Sequence, residues 1–212
     1  LFEKTPDWKY WTVTRNSAWH SIGFLDRFLE RELPADTDFG SYIPVEVNHG
    51  GDIGTTPLPE DVTNAAIYAG RNTDFDRLVV HYMQPHEPYI HQRTDNRLPE
   101  LHRSPFELLR TGEATREEVY EAYSGNLRAV LDSVRRLLEN LDAPRVAITA
   151  DHGELFGEWG MYTHPAAFPH PNVRKVPWAM TSAEDTGTAK GEKPSLSHET
   201  SQKERLKDLG YL

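Results

Sequence analysis

Cysteine is absent from the 212 residues, which excludes disulfides and leaves the redox compartment unrecorded. Lysine is scarce, arginine supplying most of the 23 basic residues against 33 acidic ones, and the net charge is −10. A chain this acidic lacks the basic face that phosphate-backbone binding needs, so nucleic acid is excluded as the expected partner. An acidic, lysine-poor surface suits a salty cytoplasm or exterior, without naming a compartment. No run approaches the roughly 18 apolar residues of a membrane span, and no apolar signal segment opens the chain at Leu1. Internal repeats and low-complexity runs are also missing. What remains is a length that suits one main domain with a real core.

The chain is organised around Arg145 to His164, RVAITADHGELFGEWGMYTH. Val146 to Ala150 are apolar or β-tolerant without polar alternation, which predicts a strand buried on both faces of a parallel sheet. Asp151, His152 and Gly153 follow at once, so an acid and an imidazole are expected at the carboxyl end of a buried strand, where open α/β sheets place their ligands. Adjacent carboxylate and imidazole donors suit a divalent cation of the zinc, manganese or calcium range. The same three residues could equally be a turn that starts a loop, since two donors do not complete a metal shell.

A second apolar run, Leu78 to Val80, also reads as a buried strand and ends in His81, Gln84 and His86. Pro85 and Pro88 bracket His86 and Glu87, stiffening the backbone on both sides. A held imidazole can donate to an oxyanion or act as acid or base near neutral pH; the alternative is a loop histidine that caps a carbonyl. Between these runs, Thr115 to Leu141 reads as the clearest helix. Thr115 and Glu118 form a capping-box pattern, and Leu127, Val130, Leu131, Val134, Leu137, Leu138 and Leu141 form its core stripe.

Elsewhere, Trp8 to Thr14 reads as a strand, Trp19 to Leu33 as a helix stopped by Pro34, and Pro34 to Pro59 as a long irregular loop. Pro59 to Ala69 is predicted helical with Gly70 past its end. Val173 to Thr181 reads as a strand with Pro177 near its edge, 183–197 as a polar mobile linker, and 198–212 as a short helix or tail; residues 1–182 form the main domain.

ITADHGELFGEWGMYTHP followed by VRKVPW resembles the C-terminal half of the sulfatase group of the alkaline phosphatase superfamily. VVHYMQPHEPYI is similar to the segment in which a Pro-His pair precedes a Pro-Tyr, YEAYSGNLRAVLDSVRRLLENL to the helix between them, and KERLKDLGYL to the tail. Order and spacing agree over roughly Asp76 to Leu212. The resemblance implies an α/β fold with a mostly parallel sheet sandwiched by helices, lacking its N-terminal part. It implies one divalent ion (Ca, Mn or Zn) on Asp151 and His152, with His86 and His164 at the sulfate or phosphate.

The sequence departs from that group in two places. It has neither the Cys/Ser-x-Pro-x-Arg maturation motif nor a preceding strand bearing Asp, so the nucleophile is expected upstream of Leu1, and Trp159 stands where many of these loops carry His. The implied activity is metal-dependent hydrolysis or transfer at a small-molecule or glycan sulfate or phosphate ester. The alternative is a non-catalytic module that binds metal or an anionic glycan.

Overall fold

The structure, a computed structural model, describes residues 10–13, 41–43, 45, 47–165 and 168–194. The helix expected over Trp19 to Leu33 and the tail after Ser197 lie outside the described residues. Strand β1 (Tyr10–Val13) falls within the aromatic, β-branched run. β2 (Ser41–Ile43) interrupts the stretch read as an irregular loop. Helix α1 (Pro59–Asn72) opens with proline, and the Asp61 carboxylate accepts the Leu58 N–H at 2.8 Å, satisfying a donor that the helix leaves unpaired. It continues two residues past Gly70. β3 (Arg77–Val80) follows, then a 3₁₀ turn (Ile90–Gln92) and the short helices α2 (Glu100–Arg103) and α3 (Pro105–Thr111).

The long helix α4 (Arg116–Leu138) starts at the expected box. The Thr115 hydroxyl accepts the Glu118 N–H at 3.2 Å, and Glu118 accepts the Thr115 N–H at 2.8 Å. Its buried face is Val119, Ala122, Asn126, Val130 and Leu137, spacings that keep one side of a 3.6-residue repeat. Leu127 and Leu131, assigned to the core stripe, are 37% and 45% exposed. A leucine one place C-terminal to an inward residue is turned about 100° away from it, so the stripe runs through Asn126 and Val130 instead.

α4 joins two apolar clusters. Leu137 packs with Ile43, Val45 and the Val62, Ala65, Ala66 and Ala69 face of α1. Val119 and Ala122 pack with Tyr89, Phe106 and Phe156. Each large buried side chain contributes about 2 kcal/mol of transfer free energy, so these clusters fix where the loops around Tyr89 and Phe156 sit.

After α4 come β4 (Ala143–Thr149), β5 (Leu155–Phe156), a 3₁₀ turn (Glu158–Gly160), β6 (Tyr162–Thr163), α5 (Pro171–Arg174) and β7 (Trp178–Ala183). The mostly parallel sheet sandwiched by helices is not what forms. β2, β1 and β3 make a three-stranded parallel sheet, with Thr12 opposite Val79 and Val13 opposite Val80 and Ile43. β4 is not part of it. β4 pairs antiparallel with β7, Val146 opposite Thr181 and Thr149 opposite Trp178, and β5 pairs antiparallel with β6.

Nor is β4 buried on both faces: Val146 and Ile148 are half-buried while Ala147 and Thr149 are exposed. In β3, Leu78 and Val80 are half-buried and Val79 is 44% exposed. A short apolar run reports a tolerance for burial but carries no information on partner direction, and here the return through α5 brings β7 back against β4. The expected strand from Val173 splits, its first residues forming α5.

The polar stretch after Ala183 is anchored as far as Glu192. Arg71 pairs with Asp185 at 2.6 Å, Ala189 N–H donates to Asn140 Oδ1 at 2.7 Å, and Glu192 N–H donates to the Asn64 carbonyl. Among the described residues no helix is long and apolar enough to cross a membrane.

Candidate functional site

Three chain segments converge. His81 and His86 follow β3, Asp151 and His152 follow β4, and His164 follows β6. The rings of His152 and His164 stack with centroids 4.0 Å apart and planes 24° from parallel, and His86 stands edge-on to His164 at 5.3 Å. The four residues singled out in the sequence are therefore neighbours, although 78 positions separate His86 from His164.

Each of the three imidazoles is tied by the same nitrogen. His86 Nδ1 lies 2.6 Å from the Glu87 carbonyl, His152 Nδ1 2.9 Å from the Gly153 carbonyl, and His164 Nδ1 3.0 Å from the Glu154 carboxylate. A carbonyl oxygen only accepts, so the proton of the neutral His86 and His152 rings sits on Nδ1. Their Nε2 atoms have no hydrogen-bond partner among the described residues, nor does that of His164. The Nε2 positions of His86 and His164 are thus left to meet a ligand, while that of His152 lies beside Asp151.

Each arm is fixed from behind. β5 and β6 form a hairpin closed by Gly157, at φ 103°, and Trp159 and Thr163 hold left-handed backbone at φ 51° and 63°. Such conformations cost non-glycine residues of order 1 kcal/mol and persist only where surroundings impose them. Here Glu158 imposes the turn: its carboxylate accepts the Phe156 N–H at 2.6 Å, pairs with Arg116 of α4 and takes the Asn172 amide at 3.1 Å. Gly153 passes so close to the Asn172 carbonyl that a Cβ would overlap it, while its N–H donates to the Val173 carbonyl at 2.9 Å. That contact turns the chain directly after His152.

Electrostatics separates the groups. The Glu154 carboxylate, its side chain only 6% exposed, holds the His164 imidazole above the ordinary histidine value, working against burial. Burial pushes Glu87 up, with His86 pulling the other way. His81 is held below the ordinary value, chiefly by burial, and it also feels Asp151 and His152. Tyr123 is pushed up to about 12 by burial, with Glu154 and Asp151 adding to the shift. The sequence reading left Glu154, Glu87 and His81 out of the site. Glu154 follows Asp-His-Gly directly and His81 follows β3 directly, so chain position was an available signal for both.

As a cation site, Asp151 and His152 have the right donor chemistry. Asp151 is exposed, its Oδ1 accepts the His152 N–H at 3.0 Å, and its Oδ2 lies 3.7 Å from His152 Nε2. An Nδ1–H held by a carbonyl leaves Nε2 as the coordinating atom. Two donors are an incomplete shell, and among the described residues no group of three or more carboxylates and imidazoles is arranged to hold a metal.

Glu154 lines an open cleft of about 360 Å³ together with the aromatic Tyr120, Tyr123 and Phe156 and the charged Arg116, Glu158 and Lys175. Compared with known proteins, the chain matches no protein-family model, and no curated protein matches it at a significant level.

Proposed function

We propose that the chain contributes the oxyanion-holding side of a site that hydrolyses or transfers sulfate or phosphate esters. The observation that carries this is the cluster of three imidazoles, each tied through Nδ1, beside the Asp151 carboxylate, with Nε2 of His86 and His164 unpartnered among the described residues. Donors fixed before the reaction stabilise charge without reorganising, worth on the order of 3 kcal/mol each in water-excluding sites. His164, whose pKa the Glu154 carboxylate raises, donates from Nε2 to a non-bridging ester oxygen when it carries the proton. His86 donates its Nε2 proton, when it carries one, to the departing alkoxide as the bond from sulfur or phosphorus to that oxygen breaks.

Asp151 and His152 would hold one divalent ion (Ca, Mn or Zn), which when bound supplies charge neutralisation and activation of the attacking oxygen. The attacking oxygen itself is assigned to no described residue. The alcohol portion of the ester fits the aromatic cleft that Glu154 lines, whose charged residues suit a glycan or small anionic ester.

The test is turnover of an aryl sulfate and an aryl phosphate by the protein carrying this chain, with elemental analysis of bound metal. His86→Ala and His164→Ala should each lower kcat/KM at least 100-fold, the size of losing one such donor, and Asp151→Ala should lower metal content and turnover together. Turnover unchanged in all three variants would remove the assignment. Oxyanion binding without any turnover would favour the non-catalytic module.

A further inference from the structure

We infer that Asn126, in the middle of α4, is the positioning residue for His86. It is fully buried on a helix face otherwise made of Val119, Ala122 and Val130, and an amide there is costly unless its hydrogen bonds are made. They are made to one loop. Asn126 Oδ1 accepts the Ile90 N–H at 2.9 Å, and Nδ2 donates to the carbonyls of Pro85 and His86, both at 3.2 Å.

The carboxamide therefore grips the chain at His86 itself, at the residue before it and four residues after it. His86 Nδ1 is in turn committed to the next carbonyl, that of Glu87, so the ring's direction follows from a backbone that α4 holds. The neighbouring position completes the seat. A Cβ on Gly125 would overlap the His91 ring, so the absence of a side chain lets the Ile90–Gln92 turn lie directly on α4. Tyr89, between the two contacts, is fully buried edge-on to Tyr123 at 6.2 Å.

An asparagine whose partners all lie in one loop 36 to 41 positions away fixes that loop's placement as well as satisfying its own amide. The inference deepens the oxyanion-site reading and rests on it for the word positioning; the grip is visible without it.

The test uses imidazole nitrogen NMR on the intact chain, in the parent and in Asn126→Ala, Asn126→Asp and Gly125→Ala, with inorganic phosphate as probe and melting as a fold control. In the parent, neutral His86 is a single Nδ1–H tautomer. In Asn126→Ala that signal becomes a mixture and the phosphate Kd rises at least fivefold, while His49 and His170 signals stay in place. Asn126→Asp, which keeps the acceptor for Ile90, falls between parent and Asn126→Ala. Gly125→Ala displaces His91 signals and leaves the His86 tautomer intact.

A folded Asn126→Ala with His86 signals and phosphate Kd unchanged overturns the inference. Should the variants not fold, the parent alone decides: phosphate binding must shift the Asn126 side-chain amide together with His86, and an unmoved amide overturns the inference. A parent that shows the single tautomer but no phosphate shift overturns the oxyanion reading and leaves the grip standing.

Discussion

The two arms that bring histidines to the site are held in opposite ways. The Pro85–Ile90 arm is fixed by a neutral carboxamide inside the helix packing, with three hydrogen bonds made by a fully buried side chain. The Asp151–His164 arm is fixed by carboxylates. Glu154 holds His164, and Glu158 gathers the Phe156 amide, Arg116 and Asn172 at the surface. Neutral bonds in a low-dielectric interior are strong and insensitive to salt, whereas charged contacts titrate and those open to solvent, as at Arg116, are also screened. Damage to the first arm should therefore appear as lost stability under all conditions, and damage to the second as a loss that depends on salt and pH.

The largest expected effect is on the buried arm. Asn126→Leu removes three partners and leaves an N–H and two carbonyls in the interior, at about 1 kcal/mol or more each, so unfolding in urea should show a loss of about 3 kcal/mol at low and high salt alike. A loss that disappears at high salt would break the distinction between the arms. Next is Gly125→Ala, where helix propensity gains about 1 kcal/mol but overpacking against His91 costs about 1–3 kcal/mol. A net loss of about 1 kcal/mol is expected in the same unfolding measurement, and a stabilised variant would mean that the turn does not sit on the helix.

On the charged arm, Glu158→Ala should cost about 1–2 kcal/mol, mainly the orphaned Phe156 amide, because the Arg116 pair is half open to solvent. Burial acts to raise the Glu158 pKa, but the Phe156 amide and Arg116 outweigh it and hold the carboxyl below 4.5. A lowered acid contributes stability that is present above its unfolded pKa and is lost as pH falls through the folded one. The parent should thus lose this contribution below about pH 4.5, while Glu158→Gln shows a flatter acid limb in melting temperature.

The smallest effect sharpens the comparison from the other side. His91, on the buried arm, is held below 6.5 by burial and by the neighbouring His102 ring, 4.6 Å away; Glu121 raises it and Arg128 lowers it. The unfolded chain then binds more protons than the folded one near and below pH 6.5, so stability falls as pH drops into that range. His91→Gln should flatten that slope by well under 1 kcal/mol; a slope unchanged in the variant would assign it to His81, the other lowered histidine here.

Much of this arrangement was legible in the residues. The Thr115 and Glu118 pattern marks the start of α4 because a capping box is purely local chemistry, and the histidines at the ends of two apolar runs mark the segments that converge. The strand partners were not legible. Val146 to Ala150 would suit a parallel or an antiparallel neighbour equally, and the choice is made by α5 and the return of β7. Asn126 was not legible either: a polar residue within a helical pattern reads as solvated surface until its loop partners are known. Leu127 and Leu131 misled for the converse reason, since hydrophobicity gives a tendency and the register of packing decides the face.

The central claim is that the Nε2 atoms of His86 and His164 face one oxyanion. The most direct measurement is a titration of the imidazole-labelled chain with inorganic phosphate, followed at every histidine. His86 and His164 should shift together along one saturation curve, with His49 and His102 unmoved. Shifts confined to other histidines, or separate curves for His86 and His164, would contradict it.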